Sequence, residues 1–249
     1  MFADHFSSVA ARYATYRPHY PRELVAILAE RCTEHAVAWD AGCGSGQLSV
    51  ALADRFAQVI ATDPSQAQLD AAERHPGVCY RRASAEVSGL APASVDLAVA
   101  AQAAHWFDWP AYVAEVARVA RPGALAALAS YGILELAGDA NAVFDDFYHR
   151  VVGPLWPPER VHVENHYRDL RWPWPTVAAP ALAMTASWTR DELCGYVTTW
   201  SATARLVAQQ GTAELDAFAA RLAAVWPEAA PRQIRWPLTL VLARVPDRR

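Results

Sequence analysis

Lysine is absent: all 22 basic side chains of the 249-residue chain are arginine. A guanidinium keeps its proton in a protein, so Schiff-base and lysine general-base chemistry are both excluded. Cysteine is scarce. Cys32, Cys43, Cys79 and Cys194 are scattered, with neither metal-site spacing nor the density of a disulfide framework, and they read as separate thiols. Positive charge in excess is also lacking. The formal net charge of -4 offers no basic surface, and no nucleic-acid partner is expected. Long apolar runs are missing too. The most apolar stretch, Val95 to Ala104, is too short to span a bilayer, and Met1 to Ser8 has no signal-like apolar core. No membrane association is expected, and a cytoplasmic location is expected by default.

What the chain does have is apolar mass. A hydrophobic fraction of 53% supplies a sizeable core. Glu23 to His35 carries Leu24, Ile27 and Leu28 at helical spacing. Ala36 to Asp40 is a short apolar strand that stops at a glycine cluster. Gln47 to Arg55 reads as a helix, Phe56 to Thr62 as a strand and Gln66 to Arg74 as a helix. Val78 to Arg82, Ser94 to Ala101 and Ala124 to Ser130 are further strands. A helix over Pro110 to Arg121 is capped by Asp108. This alternation predicts an α/β fold with a largely parallel sheet and helices on both faces. Beyond Tyr131 the rhythm breaks. Asp139 to Val152 reads as helical, and Gly153 to Pro180 is rich in Trp and Pro. Helices beginning at Thr189 and Thr212 follow, and Arg235 to Ala243 is a final strand.

The chemistry is expected at Gly42-Cys43-Gly44-Ser45-Gly46, between a strand and a helix. Glycines there permit positive φ and let a ligand approach the backbone. Asp63 ends the next strand, where a carboxylate accepts hydrogen bonds from both hydroxyls of a ribose. A nicotinamide-dependent oxidoreductase makes the same two demands. Its pattern needs glycine at the first, third and sixth places, and the sixth place here is Gln47.

Trp39 to Gln47 resembles the first motif of class I S-adenosylmethionine-dependent methyltransferases. The likeness continues in order through Val59 to Ser65, Ala85-Glu86, Ser94 to Ala100, and Arg121-Pro122-Gly123-Ala124-Leu125. It implies a Rossmann-like fold with a mostly parallel, seven-stranded sheet. S-adenosylmethionine is the cofactor implied. Asp40, Gly42 and Gly44 would hold its methionine part, with Gln47 in the same motif. Asp63 would bind the ribose, with Pro64 and Ser65 along the adenine. Ala85 and Glu86 would lie near the adenine amino group, and Gln102 would border the methyl. Tyr13 to Pro21, Ala103 to Phe107 and Tyr196 to Ser201 resemble the small-molecule branch that includes trans-aconitate methyltransferase-like proteins. One domain over 1–249 is expected: a lid and first helix over 1–35, the cofactor core over 36–130, a cap over 131–205 and the final helix and strand over 206–249.

The expected partner is a small organic acceptor bound to a monomer or homodimer. His105, after the fourth strand, is the candidate base. Tyr13, Tyr16 and Arg17 would form a lid in which tyrosines shield the sulfonium and Arg17 grips an acceptor carboxylate. Trp106, Trp172, Trp174 and Trp200 are candidate pocket walls, and the region from Trp156 to Trp174 is expected to lie over the mouth of the sheet. Glu115 and Arg118 read as an ion pair on a solvated helix face. His162 and His166 lack the setting of a metallohydrolase, so no metal is expected. The alternatives are a noncatalytic, ligand-binding member of the fold and, against the glycine spacing, the oxidoreductase.

Overall fold

The computed structural model describes residues 19–228 and 230–246. Tyr13, Tyr16 and Arg17 lie outside the described residues.

Helix α1 (Arg22–Glu30) starts after Pro21 and buries Leu24, Val25, Leu28 and Ala29. It is shorter than the periodicity predicts. Then come β1 (Val37–Ala41), α2 (Gln47–Leu52), β2 (Gln58–Asp63), α3 (Gln66–Asp70), β3 (Val78–Arg82) and β4 (Val95–Ala101). Six of the seven β4 residues are buried, as a central parallel strand covered on both faces requires. A 3-10 turn at Ala104–Trp106 leads to α4 (Trp109–Val119), whose first turn is capped by Asp108 accepting from Ala111 N at 3.2 Å. Strand β5 (Ala120–Tyr131) follows directly.

The remaining elements are β6 (Glu135–Leu136), α5 (Asp139–Asp146), a π-helical turn at Phe147–Val151, α6 (Arg160–Glu164), β7 (Thr176–Val177), β8 (Leu182–Trp188), α7 (Arg190–Thr198), α8 (Ser201–Gln210), α9 (Ala213–Val225) and β9 (Arg232–Arg244). The sheet runs β3-β2-β1-β4-β5-β9-β6, with β7 and β8 also paired to β9. Strands β1 to β5 are parallel and β9 is antiparallel to its partners. Among the described residues nine strands therefore stand where seven are expected. The extra pairing comes from the length of β9. Its Leu238 to Arg244 half lies against β5, with β7 paired at Leu242 and Ala243, while its Arg232 to Leu238 half carries β8 along its length and β6 at Ile234 and Arg235. Among the described residues no helix is long and apolar enough to cross a membrane.

One face of the sheet is sealed by Leu24, Leu28, Leu48 and Leu52, the other around Trp39, Tyr112, Val116 and Leu128. A separate core built on Phe144, Phe147, Trp200, Trp226 and Trp236 holds the second half together. Glu115 corrects the expectation of a solvated ion pair. It is 7% exposed and accepts from Ser88 N at 2.8 Å while also binding Arg118. Burial raises its pKa, but the Arg118 and Ser88 hydrogen bonds outweigh this and hold it below the usual carboxylate range.

Candidate functional site

All five parallel strands point their C-terminal ends toward one cavity of 480 Å³. In open parallel sheets this edge gathers ligands, because each strand there hands over to a loop with free backbone groups. Asp40, Gly42, Gly44 and Gln47 line the cavity after β1. Asp63, Pro64 and Ser65 line it after β2, Ala85 and Glu86 after β3, and Gln102 after β4. All ten cofactor candidates within the described residues thus meet in one space.

The glycine turn is held from below. Gly42 N and Cys43 N both donate to Thr62 O, at 2.8 and 3.0 Å. Gly42 has φ 69°, and a Cβ there would stand 2.6 Å from the Ala103 Cβ, so no other residue fits between the turn and the β4 loop. At Gly44 a Cβ would meet only Gln68 Oε1, at 3.7 Å.

Two carboxylates frame the turn. Asp63 accepts from Gly44 N through Oδ2 at 2.9 Å and from Ser65 N through Oδ1 at 2.8 Å. These bonds fix its plane. Asp40 is buried, and its Oδ2 accepts from Ser49 Oγ at 2.6 Å. Its Oδ1 has no hydrogen-bond partner. Burial, aided by the charge of Asp63 and opposed by the Ser49 bond, pushes the Asp40 pKa up to about 7. A buried acceptor of this kind calls for a cationic or hydrogen-bond-donating ligand.

Gln102 is a non-glycine residue at φ 53°. Its N donates to Ala129 O at 2.7 Å and its Oε1 accepts from Tyr131 N at 2.9 Å, which together hold the strained backbone. Trp106 and Phe107 form an aromatic wall, with Tyr20 and Tyr131 opening the far side. Glu86 accepts from Asp108 N at 3.0 Å through Oε1, which ties the β3 loop to the start of α4.

The other candidates are placed differently. His105 does not line the cavity. It is 9% exposed, and its Nδ1 shares a 2.9 Å hydrogen bond with Tyr167 Oη. Burial first, then the charges of Arg160 and His162, lower its pKa to about 3. A neutral imidazole of such low basicity, behind the wall, is poorly placed to act as a base. Trp172 and Trp174 stack on each other at 5.3 Å. Trp172 packs on Trp109 and Tyr112, covering the sheet rather than the cavity. Trp200 walls a second, small pocket with Trp156. His162 pairs with Asp169, and His166 with Thr239 Oγ1 at 3.1 Å.

Comparison with known proteins decides the family. Residues 39–128 match a family described as a methyltransferase domain. A candidate methyltransferase of Dictyostelium discoideum is 35% identical over 210 residues, which cover 83% of this chain and 80% of that protein. The chain belongs to the class I S-adenosylmethionine-dependent methyltransferase family. A solved structure of a candidate type II methyltransferase from Anaeromyxobacter dehalogenans superposes with a TM-score of 0.88 at 44% identity, covering 94% of this chain and 100% of that one. A shorter match, 33% identical over 107 residues, reaches a protein provisionally named an S-adenosylmethionine-dependent methyltransferase in Saccharomyces cerevisiae. It spans 36% of that yeast protein.

The cavity of this methyltransferase fits the family's cofactor in chemistry as well as in place. Its lining brings together two carboxylates, Asp40 and Asp63, and the aromatic rings of Trp106 and Phe107. Tyr20, Trp106 and Phe107, which also line the cavity, fall in the segments that resemble the small-molecule branch, and Trp106 was an expected wall; Tyr131 lies outside every segment of the likeness. Tyr131 was nevertheless within reach of the strand-end rule, because it closes β5 at the same edge.

Proposed function

We propose that this methyltransferase moves the methyl group of S-adenosylmethionine to a small organic acceptor, with carboxylate-bearing acceptors favoured. The observation that carries the cofactor half is Asp40, a residue of the cavity lining whose buried Oδ1 has no partner in the protein. The cofactor supplies an electrophilic methyl on a cationic sulfur. Asp40, steadied by Ser49, is assigned to the ammonium group. Asp63, oriented by Gly44 N and Ser65 N, is assigned to the ribose hydroxyls. Ala85 and Glu86 border the adenine side, and Gln102 stands at the reacting end. Trp106 and Phe107 exclude water from the methyl.

The acceptor half rests on where the expected base lies. His105, the base expected from sequence, faces Tyr167 and is neutral. An acceptor whose nucleophilic atom is already ionised needs no base, only orientation. A carboxylate meets that condition at neutral pH. The likeness of Tyr13 to Pro21 and Tyr196 to Ser201 to the trans-aconitate branch points the same way.

The test is a labelled-methyl screen of small acids, phenols and amines, with products identified by mass. Label is expected in carboxylic acids as alkali-labile methyl esters. Label confined to amines or phenols would overturn the carboxylate preference. Intact cofactor binding without transfer to any class would favour the noncatalytic reading.

A further inference from the structure

A second pocket, of about 40 Å³, lies beyond Tyr131, which lines both spaces. Tyr148, Trp156, Tyr196 and Trp200 wall it, and Arg160 of α6 lines it. The rings interlock: Tyr148 and Trp156 both lie within 6 Å of Trp200, at centroid distances of 5.7 and 5.5 Å.

Arg160 is unusual in this setting because its side chain is only 16% exposed. Its guanidinium lies 4.8 Å from the Trp156 ring centroid and 5.8 Å from that of Tyr148. Its Nε donates to Tyr148 Oη at 3.0 Å. Glu164 Oε1 is 3.9 Å from the same Nε, and is itself the acceptor for Tyr148 Oη at 2.8 Å. The counter-charge therefore sits on the Nε side. Among the described residues no group accepts a hydrogen bond from Nη1 or Nη2 of Arg160. The indole N–H of Trp156 is enclosed and likewise has no acceptor.

The two unpartnered side-chain groups at this pocket, the Arg160 guanidinium edge and the Trp156 N–H, are both donors, and the first carries a positive charge. A ligand that completes them must bring acceptors and negative charge. The guanidinium edge matches a carboxylate, whose two oxygens it can grip side by side. At about 40 Å³ the pocket has room for the carboxylate group alone, so the body of the acceptor extends past Tyr131 into the larger cavity. A cationic ligand is disfavoured, since Arg160 already covers the Trp156 and Tyr148 rings.

We infer that this pocket is the acceptor's anchor: Arg160 and the Trp156 N–H bind the carboxylate of a small organic acid whose body lies past Tyr131 in the cofactor cavity. This rests on the proposed function and relocates the expected carboxylate grip from Arg17 to Arg160.

The test uses the full chain, with and without the demethylated cofactor product, and two probes: benzoate and its neutral isostere benzamide. Binding is read by tryptophan fluorescence and calorimetry. Benzoate is expected to bind at least tenfold more tightly than benzamide. Arg160→Met should weaken benzoate at least tenfold, and Trp156→Phe, which keeps the wall and loses the N–H, severalfold. Neither should change affinity for the demethylated product by more than about twofold. Equal binding of the two probes, or undiminished benzoate binding to a folded Arg160→Met protein, would overturn the inference. So would loss of benzoate in Arg17→Met but not in Arg160→Met. Should Arg160→Met fail to fold, the benzoate-to-benzamide ratio of the native chain and the Trp156→Phe result decide the matter. Product binding without benzoate binding rejects the anchor alone. Benzoate binding without product binding rejects the cofactor reading instead.

Discussion

Asp40→Asn is expected to stabilise the ligand-free protein at pH 8 and to remove most of its affinity for S-adenosylmethionine. An aspartate in an unfolded chain titrates near 3.9, whereas burial pushes Asp40 up to about 7. The folded chain therefore holds the proton more tightly than the unfolded one. The stability associated with that proton is fully present below about pH 4 and is lost as pH rises through 7. A displacement of about three pH units corresponds to roughly 4 kcal/mol. Asparagine keeps the shape and the Ser49 bond but has no charge to desolvate. Its gain in melting temperature should thus be largest at pH 8 and shrink toward pH 4. Cofactor binding should move the opposite way, because a cation bound beside Oδ1 favours the ionised form. In the native chain affinity is expected to weaken as pH falls below 7. In the variant it should be flat with pH and weaker by about 10- to 100-fold, the worth of one charge-assisted hydrogen bond. Thermal melts and calorimetric titrations across pH 5 to 8 measure both effects. A lower melting temperature at pH 8, with affinity unchanged, would contradict this role for Asp40.

Asp63→Ala is expected to damage both the fold of the turn and the site. The carboxylate supports Gly44 N and Ser65 N simultaneously. Truncation leaves two amide donors without acceptors, a cost of about 2–4 kcal/mol in stability. It also removes the acceptor for the ribose hydroxyls, worth roughly another 1.5–3 kcal/mol of binding. Affinity for the demethylated product should fall at least about 100-fold, since the loosened turn adds to the lost contact. Asp63→Asn retains one acceptor oxygen and should lie between. Urea unfolding and calorimetry check the pair. An Asp63→Ala protein that unfolds at the native urea midpoint and binds normally would show that neither bond matters.

The sheet and the cofactor edge were legible because local signals agreed there. Apolar runs such as Leu97 to Ala101 mark buried parallel strands, and glycines with Asp63 mark where two of them end. Strand β8 was not legible. Leu182 to Trp188 is rich in small and polar residues and only Met184 is buried, so the strand depends on pairing with β9 rather than on its own pattern. His105 lies outside the cavity lining for a reason of local geometry. It shares a 3-10 turn with Trp106, and successive side chains in such a turn point about 120° apart. Trp106 takes the cavity, and His105 turns to Tyr167. Trp172 was read as a pocket wall from its neighbourhood in sequence, but Trp109 and Tyr112 offer a larger apolar surface on the sheet side. Arg160 gave no signal at all in the sequence. Its setting is assembled from Tyr148, Trp156 and Glu164, whose meeting depends on the folded cap.

The most direct measurement is a calorimetric titration of the purified chain with S-adenosylmethionine, with its demethylated product and with a nicotinamide dinucleotide. The account predicts saturable one-site binding of the first two, no heat from the dinucleotide, and no competition by the dinucleotide against the product. Tight dinucleotide binding with no signal from S-adenosylmethionine or its product would contradict it.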